Sequence, residues 1–587
     1  MKKRWIVNKN IPDEAISELA QKLQITTFLS RLLLLRNIRN YEEAQSFFKP
    51  DLKELHDPFL MKDMEKSVQR IQTAIDNHEK VLIFGDYDVD GTSAVALMYT
   101  FLQRFPLNLE YYVPDRYNEG YGISNQAVEY AHEHQFTLMI VLDCGIKCYE
   151  QIDLANSYHI DTIVCDHHLA DDTIPAAYAV LDPKRKDCPY PFKELSGCGV
   201  GFKLIQAIAI RNQIPEKEVL TYLDLVVISI ASDIVPIVGE NRILAHWGLR
   251  LLNLRPRFGV ESILSYSHIV RSGQANPKVS VFNQEIKIND LVFNVGPRIN
   301  AAGRMDTGRA SVHLLISDKA EKAMELGERI NGQNRERKEL DTKITQEAQQ
   351  LIDGNEDYQK RRSIVVYSPH WSKGVIGIVA SRLVERYYKP TIVLSLSNNL
   401  ITGSARSVRN FDLYAALCRC SHLLEHFGGH TYAAGLSLKP ENLPAFEKAF
   451  EETVAASIQE ASMLPTIDID EELPLHEINS NFYRILEKFE PFGPENLSPI
   501  FLTRNVLANT VRIVGKNHLK LSLYQRDSRS YPIDAIAFDM GEHFEQIAKG
   551  RPFHICYHIE RNTWQGHSNL QLMIKDIKFD FYDFDII

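Results

Sequence analysis

Nowhere in the chain do about 18 uncharged apolar residues follow one another, the length a membrane-spanning helix needs. The amino terminus has only Trp5 to Val7 as an apolar run, too short for the core of a secretory leader. A soluble, cytoplasmic protein with no membrane partner is the expectation. Cysteine is sparse and poorly spaced for chemistry: Cys144, Cys148, Cys165, Cys188, Cys198, Cys418, Cys420 and Cys556 include no CxxC pair and no second pair at zinc-ligand spacing. That argues against a thiolate zinc site or a disulfide framework and predicts buried, reduced thiols. An excess of positive charge is missing too, the formal net charge being −10. A generally basic nucleic-acid coat is disfavoured, but a basic groove is not, because metal-binding acids supply negative charge while Lys and Arg gather elsewhere.

What is present is length and pattern. At 587 residues without a low-complexity tract, and with about 150 residues per domain as a guide, the chain should hold roughly four domains. From Val81 the short apolar runs VLIF, LEYYV, TLMIVL, DTIVC and YAVL alternate with helix-length segments. This spacing predicts an α/β protein with a doubly wound, mainly parallel sheet. Asp318 to Asp353 reads as a long, solvated helical connector interrupted only by Gly332. A second α/β lobe follows, beginning RSIVVYS and reaching FGGHTYAAG. The strand-rich remainder, with one short helix near Glu542 to Ala548, suits a small barrel of the OB kind. The expected division is 1–65 helical, 66–315 catalytic, 316–355 connector, 356–462 second lobe and 463–587 barrel.

In a doubly wound sheet, ligands bind beyond the carboxyl ends of the strands. VLIF is followed by Gly85-Asp86-Tyr87-Asp88-Val89-Asp90-Gly91, three carboxylates on alternate residues just before a helix. Such acids repel one another unless a cation compensates them. An EF-hand loop also begins DxDxDG, but its twelfth position, a glutamate in that motif, is Leu97 here, and a strand precedes it. TLMIVL ends in Asp143, and DTIVC ends in Asp166-His167-His168. A further contribution comes from Asp233, where an apolar segment ends in SDIVP. Taken singly, Asp143 can be a helix cap and each histidine an ordinary hydrogen-bonding group. Convergence at one sheet edge instead predicts a metal centre. Carboxylates with imidazole and no thiolate select Mn²⁺ or Mg²⁺ over structural zinc, and the number of acids suggests two ions. Two such ions can activate water and neutralise a phosphoryl group, so phosphoester hydrolysis is the reaction expected.

These motifs, in order, resemble those of the DHH phosphoesterase superfamily: GDYDVDG the first, strand-end Asp143 the second, Asp166-His167-His168 the third and SDIVP the fourth. The resemblance implies metal ligation by Asp88, Asp90, Asp143, His167 and Asp233. Asp86 takes the leading acidic position found in exonucleases. It also implies that His168 lies near the scissile phosphate and that Asp166 orients the imidazoles. PDRYNEGYG, SGCGVGFKL, GPRINAAGRM, HWSKGVIGIVASRL, GSARS and FGGH extend the likeness over most of the chain to the superfamily's exonucleases, which degrade single-stranded DNA from the 5′ end. The second lobe is then the DHH-associated domain. A role in recombination and repair, with a helicase and a single-strand-binding protein as partners, is implied likewise.

Arg298 and Arg304, beside glycines in GPRINAAGRM, are expected to reach phosphate oxygens. Ser404 and Arg406 of GSARS, with Gly428, Gly429 and His430 of FGGH, resemble a pocket for a terminal phosphate, to which Arg116 adds a second guanidinium. Barrel aromatics, among them Tyr524, Phe538, Tyr557 and Trp564, are read as core or as base-stacking platforms. Two other functions remain open: hydrolysis of a small phosphorylated substrate, and a DNA-binding scaffold without catalysis.

Overall fold

The apolar runs form five strands in the computed structural model: Lys80–Gly85, Asn108–Tyr112, Leu138–Leu142, Asp161–Cys165 and Ala179–Leu181. Across the sheet the order is Asn108–Tyr112, Lys80–Gly85, Leu138–Leu142, Asp161–Cys165, Ala179–Leu181, and every neighbour is parallel. Helices cover both faces, which is why the central strands are continuously apolar rather than alternating. The chain leaves Lys80–Gly85 for the edge strand and returns on its other side to Leu138–Leu142. The winding reverses between those two strands, where an α/β sheet opens a ligand crevice.

The structure describes residues 3–8, 10–116, 118–273, 275–305, 308–526, 531–564, 567–580 and 584–586. They form two units: Lys49–Lys338 with Glu490–Leu497, which contains this sheet, and Met1–Phe48 with Glu339–Phe489 and Ser498–Ile587. In the first unit the apolar helices Val89–Leu102, Gly197–Arg211 and Leu223–Ser232 pack together in one core. Gly91 lets the GDYDVDG turn close, because a Cβ there would lie 2.4 Å from the Asp86 carbonyl oxygen.

The second unit holds another mixed sheet, in the order His426–His430, Ala433–Leu438, Leu400–Arg406, Thr391–Ser397, Ile364–Tyr367, with only the last pair parallel. Helix Ile376–Tyr387 covers one face through Val379 and Leu383, and helix Leu443–Ser457 the other through Phe446 and Phe450. Farther on, Phe501–Val514 pairs with both His518–Tyr524 and Phe553–Trp564, closing five strands into a barrel. A short helix, Phe544–Ala548, accompanies it as expected.

Two sequence expectations change. Arg4–Val7 is a strand between Thr466–Ile469 and Phe584–Ile586, ahead of the anticipated helices Asp13–Leu23, Thr27–Leu34 and Tyr41–Phe48. Four residues are too few to display a period. Helix Ala320–Asp353 runs unbroken through Gly332, and it is not solvated all round: Ala323, Ile330, Ile344, Ala348 and Ile352 are buried at helical spacing. All eight cysteines are free thiols, six of them buried. Among the described residues no helix is long and apolar enough to cross a membrane.

Candidate metal centre

Asp86, Asp143, Asp166 and Asp182 each follow the last residue of a parallel strand, so one sheet edge carries four carboxylates. Asp88 caps helix Val89–Leu102 by accepting the Gly91 amide at 3.0 Å. Asp90, the second residue of that helix, is held at the start of helix Gly197–Arg211. Its Oδ2 accepts the Gly197 amide, and its Oδ1 accepts the Cys198 amide and the Ser229 hydroxyl, all at 2.7 Å. The partial positive charge of a helix N-terminus favours a carboxylate there. Gly197 must lack a side chain, since a Cβ would fall 2.6 Å from Asp143 Oδ1. Asp143 itself is left-handed at φ 61, a conformation that costs energy outside glycine and recurs at functional sites.

His167 Nε2 is the point of convergence. It lies 3.3 Å from Asp143 Oδ1, 3.5 Å from Asp233 Oδ2 and 3.7 Å from Asp90 Oδ2. Neither ring nitrogen has a hydrogen-bond partner, although the ring is buried. Asp90, His167 and Asp233 form one group able to hold a metal ion, and Asp143, His167 and His168 another. Burial, then mutual repulsion, raises these acids. Asp86 is lifted by burial and Asp88, Asp88 by burial and Asp90, and Asp143 by burial, Asp90 and Asp88. Asp233 is pushed up to about 8 by burial and then by Asp90 and Asp88. Orphaned imidazole nitrogens among destabilised carboxylates and no thiolate fit a hard divalent cation such as Mn²⁺ or Mg²⁺.

Asp166 orients one imidazole rather than both. Its Oδ1 lies 2.7 Å from His168 Nδ1, whereas His167 reaches that oxygen only through its backbone amide, also at 2.7 Å. Burial would raise Asp166, but His168 pulls it down to about 2. Burial would lower His168, but Asp166 holds it up at about 9 in the metal-free centre. Three participants escaped the sequence reading. Tyr121 places its hydroxyl 3.3 Å from both ring nitrogens of His168 and donates to the Asp143 carbonyl. Ser229 holds Asp90. Asp182 is buried with Oδ2 unpartnered and is pushed up to about 7, first by burial. Asp182 left a readable signal as the residue after a strand-like AVL run, and Tyr121 lies within the PDRYNEGYG motif, whereas Ser229 left none.

Arg116 lies over the Tyr87 ring, 5.0 Å from its centroid, and its charge favours the ionised form of Asp86. GPRINAAGRM is helical from Gly296 to Met305, and the Arg304 charge is felt at Tyr87. Arg298 departs from expectation. It is buried and donates to Asn331 Oδ1 (3.0 Å), the Asn294 carbonyl (2.6 Å) and the Tyr266 carbonyl (3.3 Å). A guanidinium committed to three internal acceptors packs the helix rather than reaching phosphate.

In the second unit the register Arg406↔Ala433, Ala433↔His430 and Ser404↔Gly435, Gly435↔Gly428 puts Ser404, Arg406, Gly428 and His430 on one sheet face. Gly429 is out of phase with them. Arg406 donates to Ser404 Oγ (3.0 Å) and the Ala405 carbonyl (2.8 Å), both neutral acceptors. Its Nη2 would stand 3.0 Å from a Cβ on Gly377, the second residue of helix Ile376–Tyr387. In the barrel Tyr557 is core and bonded to Thr503, Tyr524 is half-buried and Phe538 is exposed. The Trp564 side chain lies outside the described residues.

Two expected results follow from this geometry. Raised acids favour the metal-free fold at low pH, and that stability is lost as pH climbs from about 4 through the Asp233 value of about 8. The melting-temperature gain from saturating Mn²⁺ over chelator should therefore widen between pH 5.5 and 8.5, as calorimetry can measure; an equal gain at both pH values would contradict the cluster. Ser229→Ala should weaken Mn²⁺ binding by about tenfold or more, the range for a lost ligand-orienting hydrogen bond, in a calorimetric titration.

Comparison with known proteins places these elements in context. The family models "DHH family, N-terminal domain", "DHHA1 domain" and "RecJ OB domain" match residues 80–230, 361–456 and 469–576. The single-stranded-DNA-specific exonuclease RecJ of Bacillus subtilis is 34% identical over 579 residues, spanning 98% of this chain and 71% of the relative. The protein of that name from Haemophilus influenzae is 31% identical, spanning 94% of this chain and 96% of the relative. The crystal structure of RecJ with Mn²⁺ from Thermus thermophilus superposes with a TM-score of 0.81 at 23% identity, covering 98% of this chain and 79% of that one. A manganese-bound exonuclease RecJ structure gives a TM-score of 0.58 at 26% identity, covering 70% of this chain and 98% of that one.

Proposed function

Because the chain belongs to the RecJ family of single-stranded-DNA-specific exonucleases, we propose that it removes nucleotides from the 5′ end of single-stranded DNA with two Mn²⁺ or Mg²⁺ ions held at the sheet edge. The observation that carries this reading is His167 Nε2 facing carboxylates of Asp90, Asp143 and Asp233 within 3.7 Å with no hydrogen bond of its own. Asp88 and Asp86 complete the acidic shell. When bound, such ions lower the pKa of water and neutralise charge developing on the phosphoryl group.

The protein's own groups do the rest. Asp166 favours the protonated form of His168 through Nδ1, leaving Nε2 to donate a proton or hydrogen bond to a phosphate oxygen. Arg116 and Arg304, near Tyr87, offset the charge of neighbouring phosphates. Ser404, Arg406, Gly428, Gly429 and His430 take the 5′-phosphate, through a hydroxyl, a guanidinium fork, close backbone approach and an imidazole. The barrel supplies affinity for the strand without chemistry, within the division 1–65, 66–315, 316–355, 356–462 and 463–587. Cytoplasmic work in recombination and repair, beside a helicase and a single-strand-binding protein, belongs to the same proposal.

The barrel and the length of the likeness disfavour a small-phosphate hydrolase, and the complete acid set disfavours a catalytically silent scaffold. Incubation with Mn²⁺ or Mg²⁺ of single-stranded DNA, duplex DNA, pyrophosphate and a cyclic dinucleotide separates these readings. Consumption of single-stranded DNA first is expected, and preferential loss of either small substrate, or of none, would refute the assignment.

A further inference from the structure

Ile234 is in a conformation that its side chain does not favour. It follows Asp233 at the end of helix Leu223–Ser232, with φ 59. Helices commonly end on a left-handed residue at this position, but that residue is usually glycine, because a Cβ there crowds the following carbonyl. A β-branched residue tolerates the conformation least. Burial does not offset the strain, since Ile234 is 63% exposed. Stability alone would place glycine or asparagine here. Positions where a local rule is broken without compensation inside the fold tend to be functional.

Its surroundings point to what it touches. Asp233, the preceding residue, stands 3.5 Å from His167. Leu169, the residue after His168, is 64% exposed, and Tyr121, with its hydroxyl 3.3 Å from His168, is 56% exposed. Three exposed apolar or aromatic side chains thus lie one residue or one contact from a member of the carboxylate–imidazole centre. A phosphodiester of DNA is amphipathic in the matching way: its charge sits at phosphorus, and the flanking deoxyribose and base present apolar surface and a π-face. We propose that Ile234, with Leu169 and Tyr121, forms an apolar rim that grips the sugar and base next to the scissile linkage, making Ile234 a determinant of substrate affinity. This inference rests on the single-stranded-DNA reading above.

Ile234→Gly and Ile234→Asn test it, because both residues accept the left-handed backbone. Both variants should melt at or above the parent and bind Mn²⁺ with the parent's affinity, yet lose about tenfold or more in kcat/KM on single-stranded DNA, carried mainly by KM. Ile234→Val, which keeps apolar surface and strain, should retain at least half the parental kcat/KM. The inference is overturned if either variant stays within twofold of an active parent, or if lost activity tracks lost Mn²⁺ affinity or a lower melting temperature, which would make Ile234 a support for Asp233. A parent inactive on single-stranded DNA would instead remove the reading on which it rests.

Discussion

Asp143→Asn should abolish DNA hydrolysis while leaving a protein that folds as well as the parent, or better. Asn keeps the shape of the side chain and tolerates the left-handed backbone at φ 61. Removing the charge also relieves a carboxylate that burial, Asp90 and Asp88 already destabilise. The metal-free variant should therefore melt at or above the parent. What it loses is a carboxylate ligand of the proposed metal centre, 3.3 Å from His167 Nε2. Several kcal/mol of transition-state stabilisation depend on the metal, so kcat should fall by about three orders of magnitude at saturating Mn²⁺. His167→Ala should behave alike, because its unpartnered Nε2 is where three carboxylates meet. Single-turnover cleavage with melting curves in chelator and in Mn²⁺ checks both. Near-normal cleavage would show that the Asp143 charge is not needed for catalysis, and a variant that melts well below the parent in chelator would show that Asp143 is structural.

Arg406→Ala should produce the second large effect, and a selective one. Its guanidinium is part-buried, sits beside Ser404 and the start of helix Ile376–Tyr387, and spends its hydrogen bonds on neutral acceptors. Pairing with a terminal phosphate would satisfy it better. Hydrogen bonds to charged groups are worth about 1.5 to 3 kcal/mol, so kcat/KM on 5′-phosphorylated strands should drop by roughly 10- to 150-fold. Strands with a 5′-hydroxyl should change much less. Arg406→Lys should rescue poorly, since an ammonium lacks the planar fork. Equal loss on both ends would mean that Arg406 supports the sheet instead of reading the terminus.

The carboxylate-bearing sheet edge was legible because it obeys two rules at once. Apolar runs of strand length mark the sheet, and the residue after each run lies at its carboxyl edge, so Asp86, Asp143 and Asp166 could be grouped from the sequence, whereas Asp233 ends the apolar helix Leu223–Ser232 and was marked by the SDIVP motif. What was not legible depends on contacts between distant segments. Ser229 lies inside an apolar helical run and shows its role only because that helix passes beside Asp90. Arg298 and Arg304 look equivalent in GPRINAAGRM, but helical rotation buries the first and leaves the second toward Tyr87. Strand Arg4–Val7 carries no period of its own and exists through its partners Thr466–Ile469 and Phe584–Ile586. The strain at Ile234 is a backbone property that residue identity does not reveal.

The most direct measurement follows one oligonucleotide labelled at its 5′ end or its 3′ end through digestion with Mn²⁺. Hydrolysis from the 5′ terminus releases the 5′ label at once as a mononucleotide and shortens the 3′-labelled strand as a ladder, with no product in chelator. Immediate release of the 3′ label, internal fragments from both strands, or cleavage that persists in chelator would contradict a metal-dependent 5′ exonuclease.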